Sequence, residues 1–380
     1  MTQPVLGILT LYLNDAGVLE ERDYYQKMTV EGRKLGLNVF VFTPQDVHDK
    51  TNLIRALFYD PDTKLWRRKW TAFPDMIFDR CRIQRSPRFD QLLKFRAKYA
   101  SRLFLNRPLR NKWTIHSVLS KDSRFRNYLP KTRYFESLQD VYDMLRAYPL
   151  LYLKPINGTG GRGILRIERE KNGMLLVQGR DQKRRIVQPV RMKAERLSGY
   201  LANWNLKDTK YIVQQGIQLK LASGRVHDYR LLVQKDGTGE WTVTGCAGRI
   251  GAYGSITANL HGGGKAVKMD KLLQAWFREE DKIARIKEEV ESFGIGVAQY
   301  LELCYDALCE LAIDIAIDRG GRIWMIEVNP KPAREVFIRA GEEDVYRQAI
   351  AKPLEYALWK YKRMKTLKSK RNGIDEQTGR

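Results

Sequence analysis

The chain has 380 residues with 43% hydrophobic and 11% aromatic content, which excludes a disordered polar chain and is too long for one typical core, so two or three subdomains are expected. Its formal net charge of +24 attracts nucleic acid, anionic membranes or acidic polymers without choosing among them. No apolar run is long enough to span a bilayer, and Cys81, Cys246, Cys304 and Cys309 show neither C-x-x-C spacing nor a disulfide framework, so a reduced chain is expected in which each cysteine is a small buried residue.

Met1-Thr2-Gln3-Pro4 runs straight into the apolar Val5-Leu6-Gly7-Ile8-Leu9, without the basic leader and cleavage site that export requires, so a cytoplasmic chain is expected. Strands over 5–11, 38–42 and 76–79 and an amphipathic helix over 23–35 predict a small parallel α/β layer. Within this part, Leu65-Trp66-Arg67-Arg68-Lys69-Trp70 interleaves cations with aromatics. That pattern suits stacking on nucleic-acid bases, but the expectation is a solvated loop anchored by its tryptophans. No RNA or DNA module surrounds it, so no specific nucleic-acid partner is expected. Residues 80–110 are strongly basic, carry a helix over 89–99, and connect to the next part.

The run Leu151-Tyr152-Leu153-Lys154-Pro155 opens into Asn157-Gly158-Thr159-Gly160-Gly161-Arg162-Gly163. Gly158, Gly160 and Gly163 formally satisfy the dinucleotide pattern G-x-G-x-x-G, but that loop opens a helix, whereas Ile164-Leu165-Arg166-Ile167-Glu168 alternates like a strand. No Lys-Ser/Thr pair follows Gly163, so the Walker phosphate loop fails too. What remains is a hairpin whose glycine-rich tip closes over phosphates through backbone N–H groups, while Lys154 presents a point charge. Taken alone, an ordinary glycine-rich surface hairpin fits as well.

Farther on, helices over 269–293 and 296–305 interrupt a sheet. Leu311 to Asp318 and Ile323 to Asn329 then flank the turn Arg319-Gly320-Gly321-Arg322, which predicts an antiparallel hairpin. Alternation puts Glu327 and Asn329 on one side, where a cross-strand Asp314 converges with them. Three hard oxygen donors suit magnesium that also holds phosphate oxygens, although Glu-Val-Asn-Pro by itself also fits a plain strand end. His48 and His116 have no chemical context, the histidines form no metal set, and His227 is expected to pack beside Asp228. After Gly341 the pattern is helical, with Val345, Ile350, Leu354, Ala357 and Leu358 packing back on the body. The stretch over 360–371 reads as the basic end of a helix fading into a disordered tail.

Taken together, the lysine and glycine loop and the acidic hairpin resemble the ATP-grasp family, in which strand lysines and a glycine flap hold ATP against an acidic, magnesium-bearing sheet. The resemblance runs from about 111 to 332. Asn111-Lys112-Trp113 is similar to the start of the family's nucleotide domain, which makes Lys112 the first phosphate lysine and Lys154 the second. Tyr211-Ile212-Val213-Gln214-Gln215-Gly216-Ile217 resembles the linking strand whose backbone recognises adenine. His227-Asp228-Tyr229-Arg230 resembles the D-x-R strand, and Gly248-Arg249-Ile250 and Asn259-Leu260-His261-Gly262-Gly263 resemble the R-x-G and N-L-x-x-G-G segments. The chain departs from the pattern at Gln214-Gln215, where many members place a glutamate, and at Ala333-Arg334, where relatives often have glycine after the second proline. Within the family its overall look is similar to the spore-coat-associated YheC/YheD group of endospore-forming bacteria.

The resemblance implies an α/β (α+β) ATP-grasp fold: a Rossmann-like domain over 1–110, a lid over 111–210, a larger antiparallel-sheet subdomain over 211–340, and a helix with a basic tail over 341–380. It implies ATP and Mg2+ as cofactors, held by Lys112, Lys154, the flap residues Gly158, Thr159, Gly160, Gly161 and Gly163, and the hinge Gln214, Gln215, Gly216 and Ile217. Asp314, Glu327 and Asn329 would hold the metal, while Arg230 and Arg249 would offset charge on the transferring phosphoryl group. Asn259, His261, Gly262, Gly263 and Arg334 would face the substrates. The activity implied is carboxylate–amine ligation through an acylphosphate, with a peptide or anionic polymer among the carboxylate and amine substrates. The expected location is the mother-cell cytoplasm or the spore coat. Three other readings stay open: a kinase-like enzyme that stops at phosphorylation, a nonenzymatic coat component that keeps ATP binding as a switch, and a nucleic-acid binder with no need of Lys154.

Overall fold

The computed structural model describes residues 3–82, 86–109, 111–158, 160–202, 204, 206, 209–260 and 263–378, with side chains up to 367. Strand β1 (Val5–Leu9), helix α1 (Arg22–Lys34) and strands β2 (Asn38–Phe42), β3 (Val47–His48), β4 (Leu53–Asp60), β5 (Leu65–Ala72) and β6 (Met76–Asp79) form the amino-terminal layer with α2 (Phe89–Lys98). Its sheet runs β3-β4-β2-β1-β6, and β5 pairs with β4 alone. β1 is parallel to β2 and β6. Successive residues of β2 serve two cores: Val39 and Val41 join α1, and Phe40 and Phe42 join α2. A strand covered on both faces is therefore apolar throughout. The Trp66–Trp70 stretch is not a loop but the antiparallel edge strand β5, paired with β4 from Leu53↔Ala72 to Asp60↔Leu65. Lying at an edge, it remains largely exposed, which is why its composition resembles a loop's.

Helices α3 (Lys112–Leu119) and α4 (Ser123–Arg126) precede a second sheet. It is built from β7 (Thr132–Tyr134), β8 (Leu150–Pro155), β9 (Ile164–Arg169), β10 (Leu175–Arg180), β11 (Ile186–Met192) and β12 (Tyr211–Gln215), with α5 (Leu138–Ala147) and α6 (Leu197–Ala202). The order is β11-β10-β9-β8-β12-β7. Leu151, Leu153, Leu165, Ile167 and Val213 bury in one core with residues of α5 and α6, so period-two alternation turns Tyr152, Lys154, Arg166 and Gln214 to the other face. The expected lid boundaries both move. Ile115, Leu119 and Phe125 bury in the core of the third sheet, so α3 and α4 belong to the body. β12 hydrogen-bonds to β8 and β7, so 211–215 belongs to the lid sheet.

The third sheet contains β13 (His227–Lys235), β14 (Trp241–Ile250), β15 (Lys265–Lys268), β16 (Glu310–Ile317) and β17 (Ile323–Asn329), packed by α7 (Met269–Trp276) and α8 (Glu280–Tyr305) and followed by α9 (Glu335–Arg339) and α10 (Glu343–Thr378). It runs β15-β14-β13-β16-β17. Tyr229, Leu231, Val233, Leu311, Ile313 and Ile315 bury with α8. The helix break expected near 294 does not occur. A Cβ on Gly294 would lie 2.5 Å from a Leu231 methyl, so the glycine permits close packing on β13 and does not end the helix; the break falls between Trp276 and Glu280. Ile350, Leu354 and Ala357 of α10 bury with Tyr25 and Met28 of α1 and with Leu6 and Ile8 of β1, so this helix packs on the amino-terminal layer. Its backbone stays helical to Thr378, where sequence analysis expects a disordered tail. Cys81 and Cys309 are buried, but Cys304 is exposed, in the last turn of α8 beyond its last buried residue, Leu301. Among the described residues no helix is long and apolar enough to cross a membrane.

Candidate functional site

β16 and β17 pair with Asp314 opposite Glu327 and Ala312 opposite Asn329, and a bulge follows because Ile315 pairs with Met325. The extra residue on β17 changes the phase of the strand. Ile323 and Met325 bury in the α8 core, and plain alternation would send Glu327 after them. With Ile326 inserted, Val328 instead packs on that core, and Glu327 and Asn329 face the same side as Asp314.

Two arginines hold this carboxylate. Asp314 lies 2.6 Å from Arg230 Nε and 3.0 Å from Arg249 Nη2. Arg249 also donates to Asp228 at 2.6 and 2.8 Å. The pairs are set by register, with Arg230 opposite Asp314 and Asp228 opposite Arg249. Burial opposes ionisation of Asp314, but Arg230 and then Arg249 outweigh it and hold its carboxyl below the usual range. At Asp228 burial wins over Arg249, and the Asp314 charge adds to it, so its pKa is raised. Asp314 Oδ1 is buried and no hydrogen bond is aligned on it, despite the close Nε of Arg230. A donor set of two carboxylates and one amide, with an unused lone pair on Asp314, fits a hard dication that takes its remaining oxygens from phosphate and water. Among the described residues no three His, Cys, Asp or Glu side chains gather as a metal cluster, so the protein's share of such a site is small.

The lysines reach this hairpin from the other side. Asn111 caps α3 by accepting from Thr114 N at 3.0 Å, which places Lys112 in the first turn. Its Nζ sits 3.2 Å from Glu327 Oε1 and also donates to the Gly158 carbonyl. Lys154 Nζ donates to Gln214 Oε1 at 2.6 Å, and Gln214 is fixed in turn by donating to Thr132 Oγ1 at 3.0 Å. The ammonium of Lys154 thus leans on a neutral amide. Burial is the main cause that lowers its pKa to about 8, with Glu327 opposing and Lys112 reinforcing.

All these groups line one cleft of about 2080 Å³ between the lid sheet, the third sheet and the amino-terminal layer. Gly158, Gly160, Gly161, Gln214, Gln215, Ile217 and Asn259 line it with the two lysines, the two arginines, Asp314, Glu327 and Asn329. Gly160, Gly161 and Gly163 all have positive φ, a backbone state that other residues adopt at a cost. Gly163, Gly216 and Gly263 lie off the described lining: the first two are packed against Gln182 and Leu150, and the third is exposed. Thr159, His261 and Gly262 lie outside the described residues. Arg334 does not face the substrates as the sequence suggests. It is 2% exposed, is ion-paired to Glu310 and donates to Ala349 O at 2.9 Å, so it faces a domain junction and not the substrates. His227 packs on Trp276 with ring centroids 4.5 Å apart. Sequence reasoning gave no role to Asp228 or Tyr152. Spacing of two from Arg230 and from Lys154 was the available signal, since i and i+2 share a face.

Residues 101–359 match the family model described as YheC/D like ATP-grasp. The endospore coat-associated protein YheC of Bacillus subtilis (strain 168) is 27% identical over 345 residues, spanning 88% of this chain and 92% of that protein. The endospore coat-associated protein YheD of the same organism is 25% identical over 361 residues, spanning 93% and 78%. Among solved structures, D-cycloserine synthetase DcsG aligns with a TM-score of 0.54 at 13% identity, covering 93% of this chain and 99% of that one. The VanG D-Ala:D-Ser ligase of Enterococcus faecalis aligns with a TM-score of 0.54 at 12% identity and the same coverage. At such identities the likeness speaks to the fold alone.

Proposed function

Because this chain belongs to the YheC/D-like ATP-grasp family and has that fold, we propose that its cleft binds ATP with magnesium and joins a carboxylate to an amine. The observation that carries this reading is the meeting of Lys112 with Glu327 at 3.2 Å. A cation 215 positions upstream of the carboxylate converges with it, and the flap carbonyl of Gly158 lies on the same ammonium.

In this reading Lys112 and Lys154 hold the phosphates, with the flap backbone over them and Gln214 steering the second ammonium. Asp314, Glu327 and Asn329 hold magnesium, which when bound supplies charge neutralisation at the phosphate oxygens. A substrate carboxylate oxygen bonds to the γ-phosphorus as the bond from that phosphorus to the bridging oxygen breaks, and ADP leaves. Arg230 and Arg249 offset the repulsion between these anions and the charge that builds during transfer. The amine nitrogen then attacks the acyl carbon, the carbon–oxygen bond to phosphate breaks, and the nitrogen gives up a proton. The acylphosphate is open to water, which gives a covering flap its purpose. Similarity to the endospore coat-associated proteins YheC and YheD supports placing this activity at the endospore coat.

The test incubates purified protein with ATP, magnesium and pools of amino acids or cell-wall fragments and follows ADP and product mass. Lys154→Ala and Glu327→Ala should each lower turnover by about 10²-fold or more without loss of fold. Wild-type turnover in both would remove these residues from the site. ADP release that needs no amine would favour a kinase-like phosphotransferase.

A further inference from the structure

Beneath the glycine flap stand three guanidinium groups, none of them ion-paired to a carboxylate among the described residues. Arg162 is on the flap, Arg180 ends β10, and Arg184 lies in the turn before β11. Arg184 has a left-handed backbone with φ of 67°, and it reaches the flap tip: a Cβ on Gly160 would sit 2.7 Å from its Nη2. Arg180 is 5% exposed. It donates to the Arg184 carbonyl at 3.2 and 3.0 Å and to Thr257 Oγ1 at 3.3 Å, all neutral acceptors. The adjacent acid, Asp181, is paired with Arg185 at 2.6 Å. Nε of Arg184 is buried without a hydrogen-bond partner. Burial first, then Arg162 and Arg180, push the Arg184 pKa down. Partly buried like charges of this kind are costly until an anion joins them.

Two observations bear on that anion. The cluster touches the body at Thr257, and a Cβ on Gly161 would lie 2.7 Å from the neighbouring Asn259 Nδ2. It therefore sits where the flap meets the 251–260 loop. The cleft as a whole is also cationic, with fourteen Lys and Arg against eight Asp and Glu along its described lining. A magnesium-bound nucleotide offsets only part of that excess. We propose that Arg162 and Arg184, with Arg180 behind them holding the Arg184 carbonyl and Thr257, form a second anion subsite that grips the carboxylates of an extended acidic substrate, a polyglutamate-like chain, between the flap and the 251–260 loop. The ligase reading supplies the purpose of that chain, but the subsite can be tested without it.

The probes are fluorescent hexaglutamate and hexaglutamine, titrated by anisotropy at fixed ionic strength, alongside calorimetric titration of Mg-ATP. Wild type should bind hexaglutamate at least about tenfold more tightly than hexaglutamine, as charge-assisted bonds of this kind allow. Combined Arg162→Gln and Arg184→Gln should erase most of that preference and leave Mg-ATP affinity within about twofold. The matching Arg→Lys pair should recover part of the preference, since charge survives and the planar fork does not. Arg67→Gln with Lys69→Gln on the exposed β5 should bind hexaglutamate as wild type does. Hexaglutamate affinity untouched by the Gln pair overturns the proposal. So does an equal loss on β5, or a loss confined to Mg-ATP, which would assign the arginines to the triphosphate. A wild type that binds no ATP would sink the ligase reading while the hexaglutamate titration still decides the subsite.

Discussion

Strand β16 carries two buried guanidinium–carboxylate clusters four residues apart on one face, and only at the second does the β16 carboxylate line the cleft. At Glu310, Arg80 Nη1 approaches to 3.3 Å, Arg334 pairs on the other oxygen, and Gln234 donates at 3.2 Å. Arg80 and Arg334 lie over the ring of Tyr24 at 5.2 and 4.6 Å, and Arg80 also meets Glu21 at 3.0 Å. Roughly 13 Å along the strand, beyond the apolar pair Leu232 and Ala312, Asp314 sits between Arg230 and Arg249. The chemistry is the same in both places. The difference is closure: Glu310 has both oxygens satisfied and no solvent exposure, whereas Asp314 keeps a lone pair unaligned and faces the cleft. Charge pairing in itself thus marks neither structure nor function; what separates the two carboxylates is that Asp314 lines the cleft and Glu310 does not.

Substitutions can break that contrast. Asp314→Asn should show the larger effect, a loss of turnover of about 10³-fold or more at modest cost in stability, because Arg249 keeps Asp228 and Arg230 can turn to cleft water. Glu310→Ala should reverse the pattern. It leaves Arg334 with no carboxylate and Arg80 with Glu21 alone in a buried site, so unfolding in urea should lose about 3–5 kcal/mol, while the folded fraction turns over at close to the wild-type rate. A Glu310 variant that is fully stable yet inactive would make the junction part of the reaction and erase the distinction.

The acidic hairpin, the flap hairpin and the parallel strands were legible because each rests on local alternation and turn chemistry. Asp314, Glu327 and Lys154 were singled out for that reason, and they line one cleft. The bulge that puts Glu327 on the same face as Asp314 was not readable, since one inserted residue leaves the apolar pattern of Ile323 to Val328 ambiguous. Arg334 was misassigned for a related cause. Its direction depends on Glu310, Ala349 and a shared junction with Arg80, contacts between distant parts of the chain. The β4–β5 hairpin escaped notice because an edge strand buries too little to show alternation. The lid boundaries moved because which core α3 and β12 join is a tertiary choice that local pattern does not encode.

Across the cleft from Asp314, Lys154 sharpens the comparison as a cation whose partner is a neutral amide. Burial lowers its pKa to about 8 from an ordinary value of 10.5, so the free protein carries the ammonium below that pH and loses it above. Mg-ATP affinity should therefore be flat below pH 7.5 and fall by up to about tenfold per unit above pH 8. The stability of the free protein should move the other way. Between pH 8 and 10.5 the unfolded chain binds more protons at this position than the folded one, so this group's contribution to stability rises with pH. Opposed slopes in one window separate Lys154 from general alkaline damage, which would lower both. Calorimetric titration at pH 8.5 in buffers of different ionisation enthalpy should show proton uptake on nucleotide binding, and Lys154→Arg, charged throughout, should bind with no slope and no uptake. A wild-type affinity that stays level from pH 7 to 9.5 would mean that this ammonium does not meet the phosphates.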